Sequence, residues 1–421
     1  MKKRNKIFAL SAVAVLIIAS IVGVAFLNGK TQAKAFTNVS SIRLQVYGNA
    51  NEDDTIDERD RDYIEGVIKG TNNETEFSDA NYDGIVDSSD IDAVKRIIND
   101  EDTTIFYVNC DSNVASVHVP IETIVVAYSN NAEAIRVLKA SDLVVGVDDN
   151  IIKYPVYFPE FQNRTNVGSR FSFDVEKILA LDPDIVFTGT SAYYTPDLET
   201  KLAANGTDID VVRLPTWEYN LIGASILTLG YILDREDLAY DYVKWHDGIV
   251  SNITTVVSGI SANDKKNVFV DRPGSTTVAA GSGYAEVLEM GGGINIGKDL
   301  SGGFYPKVDT EWVIEQDPDY IVGISWSGSY ESNNQSLLSS RYDEIVNNYR
   351  VTTAVTKGNV HIMHYDIMLG PSYVVGVSYI AKWLYPDLFV DLDPESIHQE
   401  YIDKFCGGLE YDVSEQGAFV L

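Results

Sequence analysis

Two stretches of the 421-residue chain, DVEKILALDPDIVF at Asp174–Phe187 and DTEWVIEQDPDYIV at Asp309–Val322, read alike at an offset of 135 residues (309 minus 174). In each, an aspartate leads and a glutamate follows two residues later. Apolar residues then recur at helical spacing, and an Asp-Pro-Asp element ends the helix, because a residue before proline is pushed out of the helical region. A β-rich run follows at once. A short helix feeding a buried strand is part of a βαβ unit, and meeting it twice at matching positions predicts two related α/β halves.

The surrounding sequence extends the pattern. From Thr104 the runs TIFYVN, TIVVAY, DLVVGV, DIVF and DVVRL precede helical stretches such as AEAIRVLKA and VEKILAL. After Lys265 the runs NVFV, YIVGI and NVHIM alternate with YAEVLEM and PSYVVGVSYIAKWL. Strands alternating with helices predict a parallel sheet in each half, covered on both faces. Between the halves, Asp234 is placed to cap a helix start with Asp237 three residues on. Leu238, Tyr242, Trp245, Ile249 and Ile253 then follow at helical spacing up to Ser258-Gly259. That is a helix of about 23 residues, or about 35 Å. The expected fold class is α/β, with two Rossmann-like lobes (103–233 and 264–421) joined by one long helix (234–258).

Composition narrows the function. Acidic residues number 62 against 32 basic ones, a net charge of −30. No basic footprint for nucleic acid is present, so that class is excluded. Two cysteines, Cys110 and Cys406, cannot build a disulfide scaffold or a zinc cluster, and two separate thiols are expected. Four positive charges lie among the first six residues, before the uncharged run Ile7–Leu27. Its length suits a crossing of the bilayer, and the flanking charges place the remainder outside the cell. Residues 1–35 are therefore expected to be a membrane anchor, or a signal peptide cut after Ala33-Lys34-Ala35; the length of the run favours the anchor.

Between this segment and the α/β region, at 36–102, lie two oxygen-rich loops. In DANYDGIVDSSD, Asp79, Asn81, Asp83, Asp87 and Asp90 fall at positions 1, 3, 5, 9 and 12, with Gly84 at position 6 and the Ile85 carbonyl at position 7. That is the donor spacing of a calcium loop. Thirty residues upstream, NANEDDTIDERD repeats it with Asn49, Asn51, Asp53, Thr55, Asp57 and Asp60. This copy has Asn at position 1 and Asp54 instead of glycine at position 6, and three carboxylates against four. The second loop is accordingly ranked the tighter site, and two calcium ions are expected. A helix is expected after each loop, with Ile64, Val67 and Ile68 in one and Ile91, Val94, Ile97 and Ile98 in the other. The paired loop–helix units, with Asp rather than Glu at position 12, resemble a type I dockerin domain across roughly Ser41–Glu101. The resemblance implies two calcium ions and a face able to dock a cohesin-type domain. The alternative is a calcium-stiffened spacer.

The repeated Asp-x-Glu, helix, Asp-Pro-Asp, strand element resembles the periplasmic-binding family that captures metal chelates for ABC importers. So do EVLEMGGGINI at Glu286–Ile296 and LGPSYVVGVSYIAKWLYPD at Leu369–Asp387. The resemblance spans about Thr104–Phe405. It implies the class III periplasmic-binding fold, a ligand between the lobes and an ABC permease as partner. Glu176 and Glu311, two residues into the two repeats, are implied as permease-docking knobs; otherwise they are helix-start acids that suit the dipole.

Loops leaving strand carboxyl ends would meet such a ligand. They carry Asn130, the aromatics Tyr193, Tyr194, Trp217, Trp326 and Tyr365, and Ser275 and Asp366. Arg272 offers a fork for an anion, and His364 is either a metal ligand or a solvated loop residue. For each aromatic, packing between lobes competes with ligand contact. No G-x-S-x-G, P-loop or H-E-x-x-H is present and the five histidines are scattered, so an enzyme is not expected. The expected function is capture of a metal chelate (iron-siderophore, heme or corrinoid). The alternatives are a molybdate-like oxyanion, or a surface protein that docks cohesin modules.

Deleting a charged ligand from the better loop has a measurable consequence. Asp79→Ala should weaken calcium binding more than Asn49→Ala in titration calorimetry; an Asp79→Ala protein with wild-type affinity at both sites would exclude calcium from the second loop.

Overall fold

The computed structural model describes residues 44–189 and 191–421. The expected anchor, residues 1–35, lies outside them. Among the described residues no helix is long and apolar enough to cross a membrane.

The first described elements are helices α1 (Glu58–Ile68) and α2 (Ser88–Ile98). Each starts on a reciprocal capping box, Asp57 with Asp60 and Asp87 with Asp90. The two helices pack together, burying Ile64 and Val94 in a core shared with the following lobe. Strands β1 (Thr103–Val108) and β2 (Val114–Val119) come next as an antiparallel hairpin. TIFYVN is thus not part of the parallel sheet. Its partner is VASVHV, six residues on, whose polar Ser116 and His118 face outward and weaken its strand signal.

The first lobe is a parallel five-stranded sheet of β3 (Ile124–Ala127), β4 (Val144–Val147), β5 (Thr165–Asn166), β6 (Ile185–Thr188) and β7 (Asp210–Arg213). The order is β5-β4-β3-β6-β7, with Ile124 opposite Ile185 and Ala127 opposite Thr188. The second lobe holds β8 (Lys266–Asp271), β9 (Gly293–Asn295), β10 (Tyr320–Ser325) and β11 (Val360–His364) in the order β9-β8-β10-β11, again parallel. Every residue of β3 and β6 is buried, as parallel strands covered on both faces require.

The remaining helices that position the site are α3 (Ser129–Val137), α4 (Val175–Leu181), α5 (Ile222–Leu233), α6 (Glu236–Ser258), α7 (Thr310–Gln316) and α8 (Tyr373–Leu384). The connecting helix α6 has 23 residues. Asp234 does not cap it. Only two residues separate α5 from α6, and Asp234 closes α5 in the left-handed conformation, at φ 53°. Arg235 precedes α6 without a side-chain cap bond. The most buried stripe of α6 is Ala239, Tyr242, His246, Val250, Ile253 and Val257; Leu238, Trp245 and Ile249 flank it, partly buried.

The repeated element has the same construction in both lobes. Asp174 caps α4 by accepting from the Lys177 amide at 3.2 Å, and Asp309 caps α7 by accepting from the Trp312 amide at 2.8 Å. Asp182 (φ 46°) and Asp317 (φ 42°) end the two helices left-handed, and the proline prevents further helix. The second aspartate of each Asp-Pro-Asp reaches the neighbouring strand. Asp184 accepts from the Glu122 and Thr123 amides, each at 2.7 Å, and Asp319 from the Asn267 amide at 3.0 Å. The element is a helix-to-strand turn that aligns the sheet. Cys110 and Cys406 are free thiols, as expected. Burial pushes them up to about 12 and about 11 respectively.

Candidate functional site

Right-handed parallel topology sends the carboxyl ends of β3, β8, β10 and β11 toward one cleft of about 410 Å³ between the lobes. After β3 the chain turns directly into α3 with Tyr128 at φ 87°, a conformation costly for an aromatic residue. The turn aims Tyr128, Ser129 and Asn130 into the cleft, and Glu133 follows on the same helix. From the other lobe come Arg272 after β8, Trp326 after β10, and Tyr365 and Asp366 after β11.

The cleft carries one guanidinium from each lobe. Arg170 lies 3.8 Å from the Tyr128 ring centroid and 4.7 Å from that of Phe171. Arg272 lies 3.6 Å from Tyr305, 5.5 Å from Tyr284 and 5.7 Å from Trp326. Among the described residues neither has a carboxylate within ion-pair distance. Stacking on aromatic faces orients an arginine and contributes about 0.5–2 kcal/mol each without neutralising it. The Arg272 Nε and Asn130 Nδ2 atoms are buried donors with no partner.

Two acids complete the lining. Burial, with the Asp366 carboxylate adding to it, pushes Glu133 well above its ordinary value and so favours its neutral form. Tyr401 Oη lies 3.2 Å from it. The cleft thus sets two guanidiniums beside two acids, one of which burial biases toward its neutral form, inside a chain of net charge −30. That balance favours an anionic ligand over a cationic one.

The lobes are already latched beside the cleft. Glu331 accepts from the Val156 amide at 3.1 Å and the Tyr157 amide at 3.0 Å. The Tyr157 and Tyr330 rings stack at 3.8 Å, the Tyr154 and Tyr365 hydroxyls meet at 2.5 Å, and Tyr219 donates to the Met368 carbonyl. The cleft is preformed, which limits the ordering cost of binding.

Of the residues singled out from the sequence, Asn130, Arg272, Trp326, Tyr365 and Asp366 line this cleft, and the other five do not. His364 is buried outside the lining, and its Nδ1 accepts from the Asp366 amide at 3.2 Å, which sets the turn after β11. Burial lowers its pKa, and the Asp366 carboxylate only partly opposes this. Trp217 Nε1 donates to the Gly189 carbonyl at 3.0 Å, outside the lining. Ser275, at φ 56°, is in the turn after β8. Tyr193 is 83% exposed; Tyr194 packs 5.7 Å from Phe171, one ring away from Arg170. Sequence reasoning missed Arg170, Tyr128, Glu133 and Tyr284. Tyr128 sits one residue before Ser129-Asn130-Asn131, which the sequence reads as a loop and the structure makes the first turn of α3, whereas Arg170 lies in a two-residue hairpin turn with no strand signal on either side.

The two oxygen-rich loops are built alike. Asp60 accepts from the Asn51 and Asp57 amides at 3.0 and 2.9 Å, and Asp90 from those of Asn81 and Asp87 at 3.1 and 2.8 Å. Burial pushes Asp60 up to about 6 and also raises Asp90. Asp79 accepts from the Gly84 amide at 2.8 Å, with Gly84 at φ 91°. Asn49, at position 1 of the first loop, is fully buried and its Oδ1 has no partner. Buried carboxylates and an orphaned buried oxygen fit a hard cation; in the first loop the exposed Arg59 pairs with Asp53 and Asp57, each at 2.8 Å, and a cation would have to displace it. Among the described residues, the place where three acids bring oxygens within 4.8 Å of one another is Asp100, Asp234 and Glu236, outside both loops.

Two α/β lobes on one rigid helix, with a preformed polar and aromatic cleft where their strands end, define a two-lobed solute receptor. The chain belongs to the periplasmic binding protein family, the substrate-binding components of ABC importers; the family's sequence profile matches residues 124–366. It is similar to the molybdate-binding protein MolA of Haemophilus influenzae, 23% identical over 64% of this chain and 81% of that protein. It is also similar to a cobalamin-binding protein of Halobacterium salinarum, 25% identical over 57% of this chain and 62% of that one. Among solved structures it shares its fold with the TroA-like periplasmic binding protein FepB of Veillonella parvula. There the TM-score is 0.65 and the identity 20%, over 75% of this chain and 99% of that chain.

Trp326 lines the cleft and Trp217 does not. A ligand that quenches intrinsic fluorescence should therefore lose most of that signal in Trp326→Phe and keep it in Trp217→Phe. The reverse result, read by titration with any one bound ligand, would move the site.

Proposed function

We propose that the protein captures a small anionic metal chelate outside the cell and delivers it to an ABC permease. The observation that carries this reading is the pair of guanidiniums without a carboxylate at ion-pair distance, Arg170 and Arg272, one from each lobe and each laid on aromatic rings around one cleft. Rings suit a flat organic chelator, and the two forks suit carboxylate or other anionic oxygen on its surface. A volume of about 410 Å³ is near the lower end for small-molecule sites, which run about 300–1,000 Å³. A compact ferric chelate suits it better than a corrinoid.

A second reading is a bare oxyanion of the molybdate type. It is favoured by the two unpartnered buried donors, Arg272 Nε and Asn130 Nδ2, and by the name of the Haemophilus relative. Calorimetry with ferric siderophores, heme, cobalamin and molybdate separates the readings. An anionic ferric chelate should bind at micromolar affinity or better, weakened at least tenfold in Arg170→Ala or Arg272→Ala by loss of a charge-assisted contact of about 1.5–3 kcal/mol. Cobalamin, bulky and without net negative charge, should not bind. Molybdate as the tight ligand would select the second reading, and a folded protein that binds none of the four would overturn both.

In this reading the two loops hold two calcium ions, with Asn49, Asn51, Asp53, Thr55, Asp57 and Asp60 around one and Asp79, Asn81, Asp83, Ile85, Asp87 and Asp90 around the other. The N-terminal segment tethers the receptor to the outer face of the membrane. Glu176 and Glu311 are the permease contacts. Both are exposed in the first turns of the paired helices α4 and α7, and a matched pair of acids suits a two-fold permease. The double variant Glu176→Ala, Glu311→Ala should keep its chelate affinity while uptake through the cognate permease falls steeply. Unimpaired uptake would leave these residues as ordinary helix-start acids.

A further inference from the structure

The two loops share a donor pattern but not an environment. The second has its outer half in solvent: Asp83 and Asp87 are exposed, Ile85 is 63% exposed, and nothing lies within 4 Å of the Cβ position of Gly84. Its Tyr82 ring rests on Tyr47 and Phe106 at 4.9 and 5.6 Å, and among the described residues no hydrogen bond to the lobes meets its position 7. The first faces the substrate-binding fold. The chain entering it runs along β1 as an extra strand, with the Tyr47 amide on the Phe106 carbonyl at 2.9 Å and the Val108 amide on the Gln45 carbonyl at 3.0 Å. Ile56 is buried in the same apolar cluster as Ile105, Tyr107 and Tyr231.

The contact is made at the ligand position itself. Thr55 is position 7, whose backbone carbonyl a calcium ion takes. The peptide groups on either side of it are held by the two helices at the joint between the lobes. Tyr240, on α6, donates to the Asp54 carbonyl. The Ile56 amide donates to Tyr231 Oη, on α5, at 2.7 Å. The two hydroxyls are 3.1 Å apart. This also accounts for Asp54 where a calcium loop ordinarily has glycine. The position has φ 68°, and the Asp54 carboxylate accepts from the Leu44 amide at 2.5 Å, tying the entering strand to the loop. At position 1, Asn49 is sealed from solvent with Oδ1 unpartnered.

We propose that the two calcium loops have divided roles. The first is an internal joint whose ion fastens the small module to α5 and to the connecting helix α6, and so stabilises the whole substrate-binding fold. The second is a solvent-facing site whose ion exchanges without affecting that fold. The proposal rests on the calcium reading above and goes beyond it. Ordering the Thr55 carbonyl and docking Asp54 and Ile56 are one conformational event, so calcium affinity at the first loop and docking must be linked reciprocally. The face of the first loop is therefore taken within the chain, and any cohesin-type partner must use the second.

All five tryptophans (217, 245, 312, 326 and 383) lie in the substrate-binding fold, so thermal unfolding followed by tryptophan fluorescence reports that fold and not the module. With the full chain, in calcium or in chelator, calcium should raise this transition in the wild type and in Asp79→Ala but not in Asn49→Ala. In Tyr231→Phe, Tyr240→Phe, which alters no calcium ligand, calorimetry should still count two sites, with one weakened about five- to tenfold, a usual size for coupling between sites. Two bound ions with an unmoved tryptophan transition would overturn the division of roles while leaving calcium in place. So would unchanged affinities in the double variant, or a shift that depends on Asp79 and not on Asn49. Absence of any calcium binding by calorimetry would remove the calcium reading itself, a result distinct from all of these.

Discussion

The carboxylates of Asp184 and Asp319 hold the amino-terminal edges of the two sheets. Each accepts from the backbone of the adjacent strand's start, so neighbouring parallel strands begin level and end level. Everything at the cleft depends on that alignment. Because β3, β8, β10 and β11 stop at comparable heights, the residues after them converge on one space. In a parallel sheet every strand leaves at the same edge, and a ligand site forms there without further design. The Asp-Pro-Asp turn is therefore a register device. The proline ends the helix, the first aspartate adopts the left-handed cap, and the second sets the strand. Its recurrence in each lobe gives the receptor its pseudo-symmetry, including the outward glutamates at the start of each preceding helix.

Charge is distributed against the average. A chain of net charge −30 repels anions at long range, although salt screens this beyond about 8–10 Å. Within the cleft the local balance is different, since Arg170 and Arg272 rest on aromatic faces instead of on carboxylates and burial favours the neutral form of Glu133. Aromatic stacking orients a cation while leaving its hydrogen-bonding edge free, which a salt bridge would not do. The latches at Glu331, Tyr157 and Tyr365 keep the two guanidiniums facing one space before any ligand arrives. The rigid connecting helix α6, buried along one stripe, opposes large changes in that spacing.

The small module is joined to the lobe by backbone pairing, by a shared apolar core and by two tyrosine hydroxyls. A segment of about 60 residues buries little core of its own, and leaning on a larger domain offsets that weakness. Its contact falls at the α5–α6 turn, where the chain passes between lobes, so the module braces the region that any lobe motion would bend.

Local pattern was enough to read the α/β class, the 23-residue connecting helix, the paired Asp-Pro-Asp turns and the donor spacing of the two loops, because caps, prolines and apolar periods act within a few residues of themselves. It also led to Arg272, Trp326, Tyr365 and Asp366 on the cleft wall, each the first or second residue after a legible strand. Tertiary contacts decided the rest. TIFYVN pairs with a polar hairpin partner and not with the parallel sheet, a choice made by neighbours distant in sequence. Asp234 ends one helix instead of starting the next, because α5 fills the space before it. His364 is buried, with its Nδ1 taken by the Asp366 amide. Arg170 reached the cleft from a hairpin of two-residue strands that no periodicity marks. Asp54 read as a flaw in a calcium loop until Tyr240 and Leu44 were found on its carbonyl and carboxylate. Spacing along the chain specifies which chemical groups exist and which local turn they make; only packing of the lobes specifies which of them face the same space.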